Sequence, residues 1–327
     1  MIDFRYHLVS IVAIFLALAV GIVLGTTLLQ DPALDLAKRT SDELKSANDG
    51  LRADLDTLRG RESGNDAFII AQTPELVAGD LTGQKVLFIE SPGSSASVRE
   101  ATQQVIEQAG ADVTGRLILT EKFLDPTGTG VIDGLVNQLK PANMMFAPTS
   151  TSWDRAATLL ASALVTGDPA QASTPNTTTL NMIDTFETGG LLTTEDDPDK
   201  ERATLAVMFA PEKPYEGDNA ETLAGALVSV ANAFDAGGKG AVLAGAPVTA
   251  AVPGDPIGAV RDDGEISKRV TTVDSADMPM GRVTIISSLR EQLAGRAGQY
   301  GIGKGASAPQ PAATSPSPTP TTTQTGS

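Results

Sequence analysis

The feature that most constrains this chain is an apolar run near its N-terminus, residues 8–29, which holds 22 residues and no charge. At a rise of about 1.5 Å per residue, a helix of this length spans a hydrocarbon core of roughly 30 Å and satisfies its own backbone hydrogen bonds in lipid. The run is apolar on every face, whereas a core helix of a soluble protein is shorter or amphipathic. It also lacks the small-residue cleavage pattern of a signal peptide. We therefore expect one uncleaved transmembrane helix over residues 8–29, preceded by a short head of residues 1–7.

Two glycines lie one helical turn apart within this run. Gly21 and Gly25 form a G-x-x-x-G pattern, which lets two helix backbones approach closely in a membrane. The pattern is also common in membrane helices that do not pair. A contact with a second copy and an unpaired helix are therefore both open interpretations.

The orientation of the membrane helix depends on features of the whole chain. Arg5 on the short side and Lys38 and Arg39 on the long side favour neither direction. The chain has no cysteine, which suits an oxidising compartment but also fits the cytosol, and its end is rich in Thr, Ser and Pro, as in cell-surface stalks. We expect the head in the cytoplasm and the bulk of the chain outside it.

Residues at heptad spacing follow the apolar run over residues 31–62 and predict a coiled-coil stalk. An asparagine at position a favours a parallel pair in one register, at some loss of stability. Asp31 and Pro32 predict a hinge before the stalk, and Gly60 and Gly64 predict its end. A parallel homodimer is one interpretation, and a single amphipathic helix lying on its own globular domain is the other. The stalk residues at positions a and d are Leu34, Leu44, Asn48, Leu51, Leu55 and Leu58.

The rest of the chain alternates strand patterns with helix patterns, which is typical of an α/β domain with a parallel sheet. We predict a Rossmann-like or flavodoxin-like domain over residues 66–305 and a disordered tail over residues 306–327, which carry no charge. The predicted strands are residues 85–90, 112–119, 143–148, 205–209 and 240–245, with shorter ones at 270–272 and 283–287. The predicted helices are residues 94–110, 130–139, 152–165, 219–234 and 288–293.

Composition excludes several classes of function. A net charge of −16 repels phosphate backbones, so nucleic acid is not an expected partner. One histidine and no cysteine remove the commonest zinc and copper ligands, and they exclude cysteine nucleophiles and histidine-based triads in the soluble part. We expect no enzyme activity, no catalytic residue and no cofactor.

Two short segments are weak candidates for ligand binding. Met278 and Met280 carry thioether sulfurs that suit Cu(I), but two sulfurs alone make a poor site, and packing is the simpler interpretation. The loop at residues 90–95 precedes a predicted helix, whose free N–H groups could hold an anion. It lacks the glycine patterns of nucleotide-binding loops, so ordinary turn and capping chemistry explains it.

The two ends of the chain resemble a known family. Residues 5–26 (RYHLVSIVAIFLALAVGIVLGT), the leucine stalk behind them and residues 291–303 (EQLAGRAGQYGIG) resemble the actinobacterial MctB family, which includes SteB-like envelope division factors. The resemblance covers about residues 1–305. It implies an actinobacterial envelope protein linked to copper efflux, with copper as its only implied ligand. In the SteB-like branch it implies a partner that controls a peptidoglycan hydrolase.

The residues narrow what this resemblance implies. A pore through a membrane needs a closed barrel or several helices, because an open sheet edge in lipid is too costly. The sequence predicts one membrane helix and a sheet of water-soluble type. We therefore expect an indirect role in copper homeostasis, without a pore formed by this chain. The alternative is a non-enzymatic coiled-coil scaffold that recruits or activates a peptidoglycan hydrolase during cell division.

Overall fold

A computed structural model describes residues 4–179 and 181–312, except for the side chains of residues 27–34. The chain divides into two compact units, Met1–Asn65 and Asp66–Ser327. Helix α1, Phe4–Val77, begins in the first unit and ends in the second. Within the described residues, one segment, Phe4–Thr26, is long and apolar enough to cross a membrane, with a mean hydropathy of 2.9 and no residue buried. This helix confirms the predicted apolar span, which starts four residues earlier than expected.

The predicted hinge at Asp31 and Pro32 and the predicted helix end at Gly60 and Gly64 were wrong, because α1 continues through all four positions. A glycine inside a helix costs only about 0.5–1 kcal/mol, and a proline removes one intrahelical hydrogen bond. The helical turns on both sides outweigh these local costs. The helix ends where Gly79 adopts a φ of 78°, a conformation that favours glycine.

Seven strands in the described part of the chain form one sheet, in the order β3-β2-β1-β4-β5-β6-β7. Every neighbouring pair is parallel except β2 and β3, so the predicted parallel sheet is confirmed. Strands β2-β1-β4-β5-β6 follow the 2-1-3-4-5 order of doubly wound α/β folds. The strands are β1 (Lys85–Glu90), β2 (Asp112–Leu119), β3 (Leu192–Glu195), β4 (Leu205–Phe209), β5 (Ala241–Ala244), β6 (Thr271–Val273) and β7 (Gln299–Tyr300).

Helices cover both faces of this sheet. Helices α2 and α9 pack on one face, where the rings of Phe88 and Phe209 meet edge to face with centroids 5.1 Å apart. Helices α5 and α7 pack together on the other face, over the larger part of the core. The helices that follow α1 are α2 (Ala96–Gln108), α3 (Glu121–Leu124), α4 (Thr129–Leu139), α5 (Ser152–Leu164), α6 (Met182–Thr188), α7 (Ala220–Gly237), α8 (Pro256–Asp262) and α9 (Pro279–Leu293).

Three further predictions of local structure were wrong. Residues 143–148 form an irregular loop instead of a strand, and Met145 is 89% exposed. Residues 283–287 belong to α9, because Pro279 opens a helix there whose buried side packs against α2. Ala308, placed in the predicted disordered tail, pairs with Tyr300 at the end of β7. Residues 313–327, the rest of that tail, lie outside the described residues.

A carboxylate beside the start of β5 makes the stability of the α/β domain depend on pH. Asp235, near the end of α7, accepts a hydrogen bond from the backbone N–H of Ala241 at 3.1 Å, but burial raises the pKa of its carboxyl to about 6. The folded-state pKa therefore lies above the ordinary value of 3.8. The contribution of Asp235 to stability is complete below about pH 4 and is lost as the pH rises through about 6.

We expect Asp235→Asn to raise the free energy of unfolding at pH 7 by about 1 kcal/mol, a figure reduced for the partial exposure of the site. The amide oxygen of asparagine can still accept the hydrogen bond from Ala241, and it does not ionise. Urea unfolding at pH 4 and pH 7, followed by the fluorescence of Trp153, measures the difference. The gain should disappear at pH 4, and an equal gain at both pH values would contradict the explanation.

Candidate functional site

The predicted stalk residues lie on α1 with their side chains in solvent. Leu44, Leu51, Leu55 and Leu58 are 50–66% exposed, and Asn48 is also exposed. Such exposure of four leucines on one helix is unusual for a surface that contacts only water. The side chain of the sixth predicted residue, Leu34, lies outside the described part. Heptad pairing therefore stays a prediction.

The predicted contact of a second helix at the two glycines of the membrane segment is also not decided by the structure. A Cβ atom built on Gly21 or on Gly25 meets no atom within 4 Å. Both positions therefore leave space beside the helix that a second helix could approach. A helix contact at this pattern also stays a prediction.

The predicted methionine pair lies at the start of α9. Met278 precedes the first turn and Met280 is in it, and both side chains are half-buried. The backbone carbonyl of Met278 accepts hydrogen bonds from the N–H groups of Gly281 and Arg282. In the part of the chain that the structure describes, no group of three or more His, Asp or Glu side chains could hold a metal ion. A copper role for the two sulfurs remains a prediction.

A cleft of about 890 Å³ lies outside the carboxyl ends of β1, β2 and β4. The chain leaves β1 over the α2 face and leaves β2 over the opposite face, so this is the point where the direction of winding reverses. In open α/β sheets, ligands bind in the crevice at such a switch point. Prolines and large apolar side chains form much of the cleft surface: Pro92, Leu124, Pro126, Pro211, Tyr215 and Leu223. Exposed charged side chains also border it: Glu121, Lys122, Glu212 and Lys213.

Hydrogen bonds hold the loops around this cleft together. The Tyr215 hydroxyl donates to the carbonyl of Pro92 at 3.0 Å, and the backbone N–H of Glu212 donates to the carbonyl of Gly93 at 2.9 Å. Burial raises the pKa of Tyr215 to about 12, so its phenol stays neutral and keeps donating at neutral pH. An apolar surface with charged side chains at its border suits binding better than acid–base or nucleophilic chemistry.

The cleft continues along the same edge of the sheet. A second cleft of about 660 Å³ shares Lys213 and Tyr215 with the first and is also lined by Val252 and Pro253. The backbone N–H of Tyr215 donates to the carbonyl of Gly254 at 3.0 Å, which attaches the 246–255 loop to the site. We call these two adjoining clefts the edge groove. No local sequence pattern predicts this groove, although Pro92 and Gly93 in its lining belong to the 90–95 loop that the sequence marks as a weak candidate for anion binding.

The glycines at the end of residues 291–303, one of the two segments that resemble the family, surround a buried ion pair. Arg261 and Asp274, whose side chains are 4% and 2% exposed, lie 2.7 Å apart from Nη1 to Oδ2. The backbone N–H groups of Ile302 and Gly303 donate to the two oxygens of Asp274 at 2.8 and 2.9 Å. A Cβ atom on Gly301 would lie 1.9 Å from Oδ1 of Asp274, and the φ of Gly301 is 127°. Gly301 and Gly303 therefore have a structural role, since they let the backbone wrap around this carboxylate.

Known proteins of one family are similar to this chain over nearly its whole length. A family model described as "Copper transport outer membrane protein, MctB" matches residues 1–311. The protein named Copper transporter MctB in Mycobacterium tuberculosis is 28% identical over 312 residues, which cover 94% of this chain and 98% of the relative. Its namesake in Mycobacterium leprae is 27% identical over 315 residues, with 94% and 98% covered.

Proposed function

The chain belongs to the MctB copper transport family, as its two end motifs predict, and we propose that it is a single-pass envelope protein that supports copper homeostasis from outside the cytoplasm. The observation that carries this proposal is the combination of one exposed apolar segment, Phe4–Thr26, with a folded α/β domain behind it. In this arrangement the head of residues 1–7 lies in the cytoplasm and the domain lies in the envelope.

We further propose that the effect on copper is indirect and that the chain forms no pore by itself. A conducting path through lipid needs several helices or a closed sheet. Helices cover both faces of the sheet described above, and its strands bury apolar side chains on both sides, as in a water-soluble domain. The methionine pair Met278 and Met280 offers two thioether sulfurs, fewer ligands than a tight Cu(I) site uses.

We expect the purified full-length protein to give no discrete conductance steps in planar bilayers that contain copper salts, because one helix per chain encloses no aqueous path. The control is a known pore-forming protein reconstituted in the same bilayers. Discrete steps that disappear when residues 4–26 are replaced by an unrelated membrane helix would overturn the absence of a pore.

The exposed leucines of α1 favour a second, compatible proposal. A stripe of Leu44, Leu51, Leu55 and Leu58 around Asn48 suits pairing with a second, parallel copy, because the membrane segments align the two chains at one end. A paired stem would present two copies of the α/β domain to another envelope protein. In this proposal the partner is a peptidoglycan hydrolase that the scaffold recruits or activates during cell division, as the resemblance to SteB-like factors implies.

A further inference from the structure

The acidic side chains around the edge groove have no cationic partner within the described part of the protein. Six carboxylates line the two clefts, against two lysines. None of the six forms an ion pair with a described side chain, whereas Lys122 already donates from Nζ to the carbonyl of Gly189 at 2.7 Å. The groove therefore has an excess of negative charge, which attracts cations and repels anions. The six carboxylates belong to Glu121, Asp125, Glu212, Glu216, Asp218 and Glu221.

The surface between these charges is apolar and held in place by hydrogen bonds. Leu223 and Val252 contribute aliphatic surface to the two clefts, and Tyr215 lines both of them. The carbonyls of Pro92 and Gly254 accept hydrogen bonds from the hydroxyl and the backbone N–H of Tyr215, so its ring is fixed before a ligand arrives. A metal ion or a polyamine matches only the acidic border and leaves this apolar surface in water. A ligand with both apolar and cationic groups matches the whole groove.

The groove is larger than the site of one compact small molecule. Its clefts of about 890 and 660 Å³ adjoin at Lys213 and Tyr215. A drug-sized ligand fills a site of roughly 300–1,000 Å³, so the two clefts together exceed what such a ligand needs. An extended peptide advances about 3.3 Å per residue and points successive side chains to opposite sides. Every second side chain of such a peptide can therefore contact the apolar surface while the others reach the carboxylates at the border.

We propose that the edge groove binds an extended segment of a partner protein in which apolar side chains alternate with lysine or arginine. Burial of the apolar side chains provides most of the affinity. The carboxylates select a basic segment and speed its association, and an arginine can bind one of them through two parallel hydrogen bonds. This binding depends only on the groove, so it holds whether the chain supports copper homeostasis or acts as a scaffold for a hydrolase.

Synthetic peptides added to the full-length protein in nanodiscs of zwitterionic lipid test this proposal. The probe is a short peptide with blocked ends in which four lysines alternate with three valines, and fluorescence anisotropy of a rhodamine label measures its binding. Empty nanodiscs are the control for binding to lipid. We expect saturable binding with a dissociation constant of about 100 μM or less. Serine in place of the valines should weaken binding by about tenfold or more, and glutamate in place of the lysines should abolish it.

Matched variants of the protein show whether the peptide lies in the groove. Glu216→Lys with Asp218→Lys reverses two exposed charges of the groove, and Glu75→Lys with Asp184→Lys makes the same change on exposed residues of α1 and α6 that line neither cleft. At an ionic strength of 0.1 M, charges more than about 10 Å apart are largely screened. The first pair should therefore weaken binding by about tenfold or more, and the second by less than about threefold. Urea unfolding followed by the fluorescence of Trp153 verifies that both variants stay folded.

Four results would overturn the proposal. The absence of saturable binding, or equal losses in the two double variants, would show that the groove does not hold the peptide. Equal binding of the serine peptide would show that the apolar surface takes no part. Displacement of the probe by spermine, which carries about four positive charges, as efficiently as by unlabelled peptide would assign the groove to a small organic cation. Binding that weakens as the protein concentration rises would assign it to a second copy of the chain.

Discussion

Replacing Arg261 by methionine is expected to lower the free energy of unfolding of the α/β domain by about 3–5 kcal/mol, because removal of one partner leaves a buried charge uncompensated. The Arg261 guanidinium donates to Asp274, to the hydroxyl of Thr272 and to the carbonyls of Tyr300 and Lys304, at 2.7–2.9 Å. The substitution therefore leaves three neutral acceptors without this donor as well. Urea unfolding of the full-length protein, followed by the fluorescence of its one tryptophan, Trp153, measures the loss.

A matched substitution shows whether burial causes the effect. Lys268 forms an ion pair with Glu265 at 2.7 Å, but the two side chains are 67% and 85% exposed. Lys268→Met should change the free energy of unfolding by less than about 1 kcal/mol, since exposed ion pairs contribute little. If Arg261→Met is as mild as Lys268→Met, then the ion pair does not hold the glycine motif in place, and the motif needs another explanation.

Local patterns in the sequence were sufficient to predict several elements. Strands β2 and β4 have the predicted bounds, because each is a short segment rich in β-branched and apolar side chains between turns. The start of α5 is also visible in the sequence, since Thr151 accepts a hydrogen bond from the N–H of Asp154 while the Asp154 carboxylate accepts one from the N–H of Thr151. These signals lie within a few residues of each other, so no tertiary information is needed.

Other elements depend on neighbours that the sequence does not reveal. Residues 143–148 have the composition of a buried strand, but β4 occupies the place beside β1, so no sheet edge is left for them there. The edge groove depends on Pro92, Leu124 and Tyr215, which lie far apart in the chain and meet only after the sheet forms. The glycines of residues 291–303 are visible in the sequence, whereas Asp274, the carboxylate that they surround, is identified only by the fold.

Replacing Leu51 by aspartate is expected to weaken association of the proposed parallel dimer by about 100-fold or more. Burial of one leucine contributes about 1.5–3 kcal/mol, each dimer loses two such side chains, and 1.4 kcal/mol corresponds to tenfold in affinity. Leu36→Asp is the matched control, because Leu36 is 67% exposed on the same helix but lies at heptad position c. Sedimentation equilibrium of the full-length protein in density-matched detergent measures both variants, and equal losses of affinity for the two would contradict the heptad assignment.

Cross-linking tests the register of the same dimer directly. The natural chain has no cysteine, so a single introduced thiol gives no background. Asn48→Cys should form an intermolecular disulfide in membranes under mild oxidation, because position a of one helix faces position a of its copy in a parallel pair. Ser46→Cys, two residues away at position f, should stay reduced, because that position points away from the pair. Efficient cross-linking through Ser46→Cys, or none through Asn48→Cys, would show that the exposed leucines of α1 contact something other than a second copy in this register.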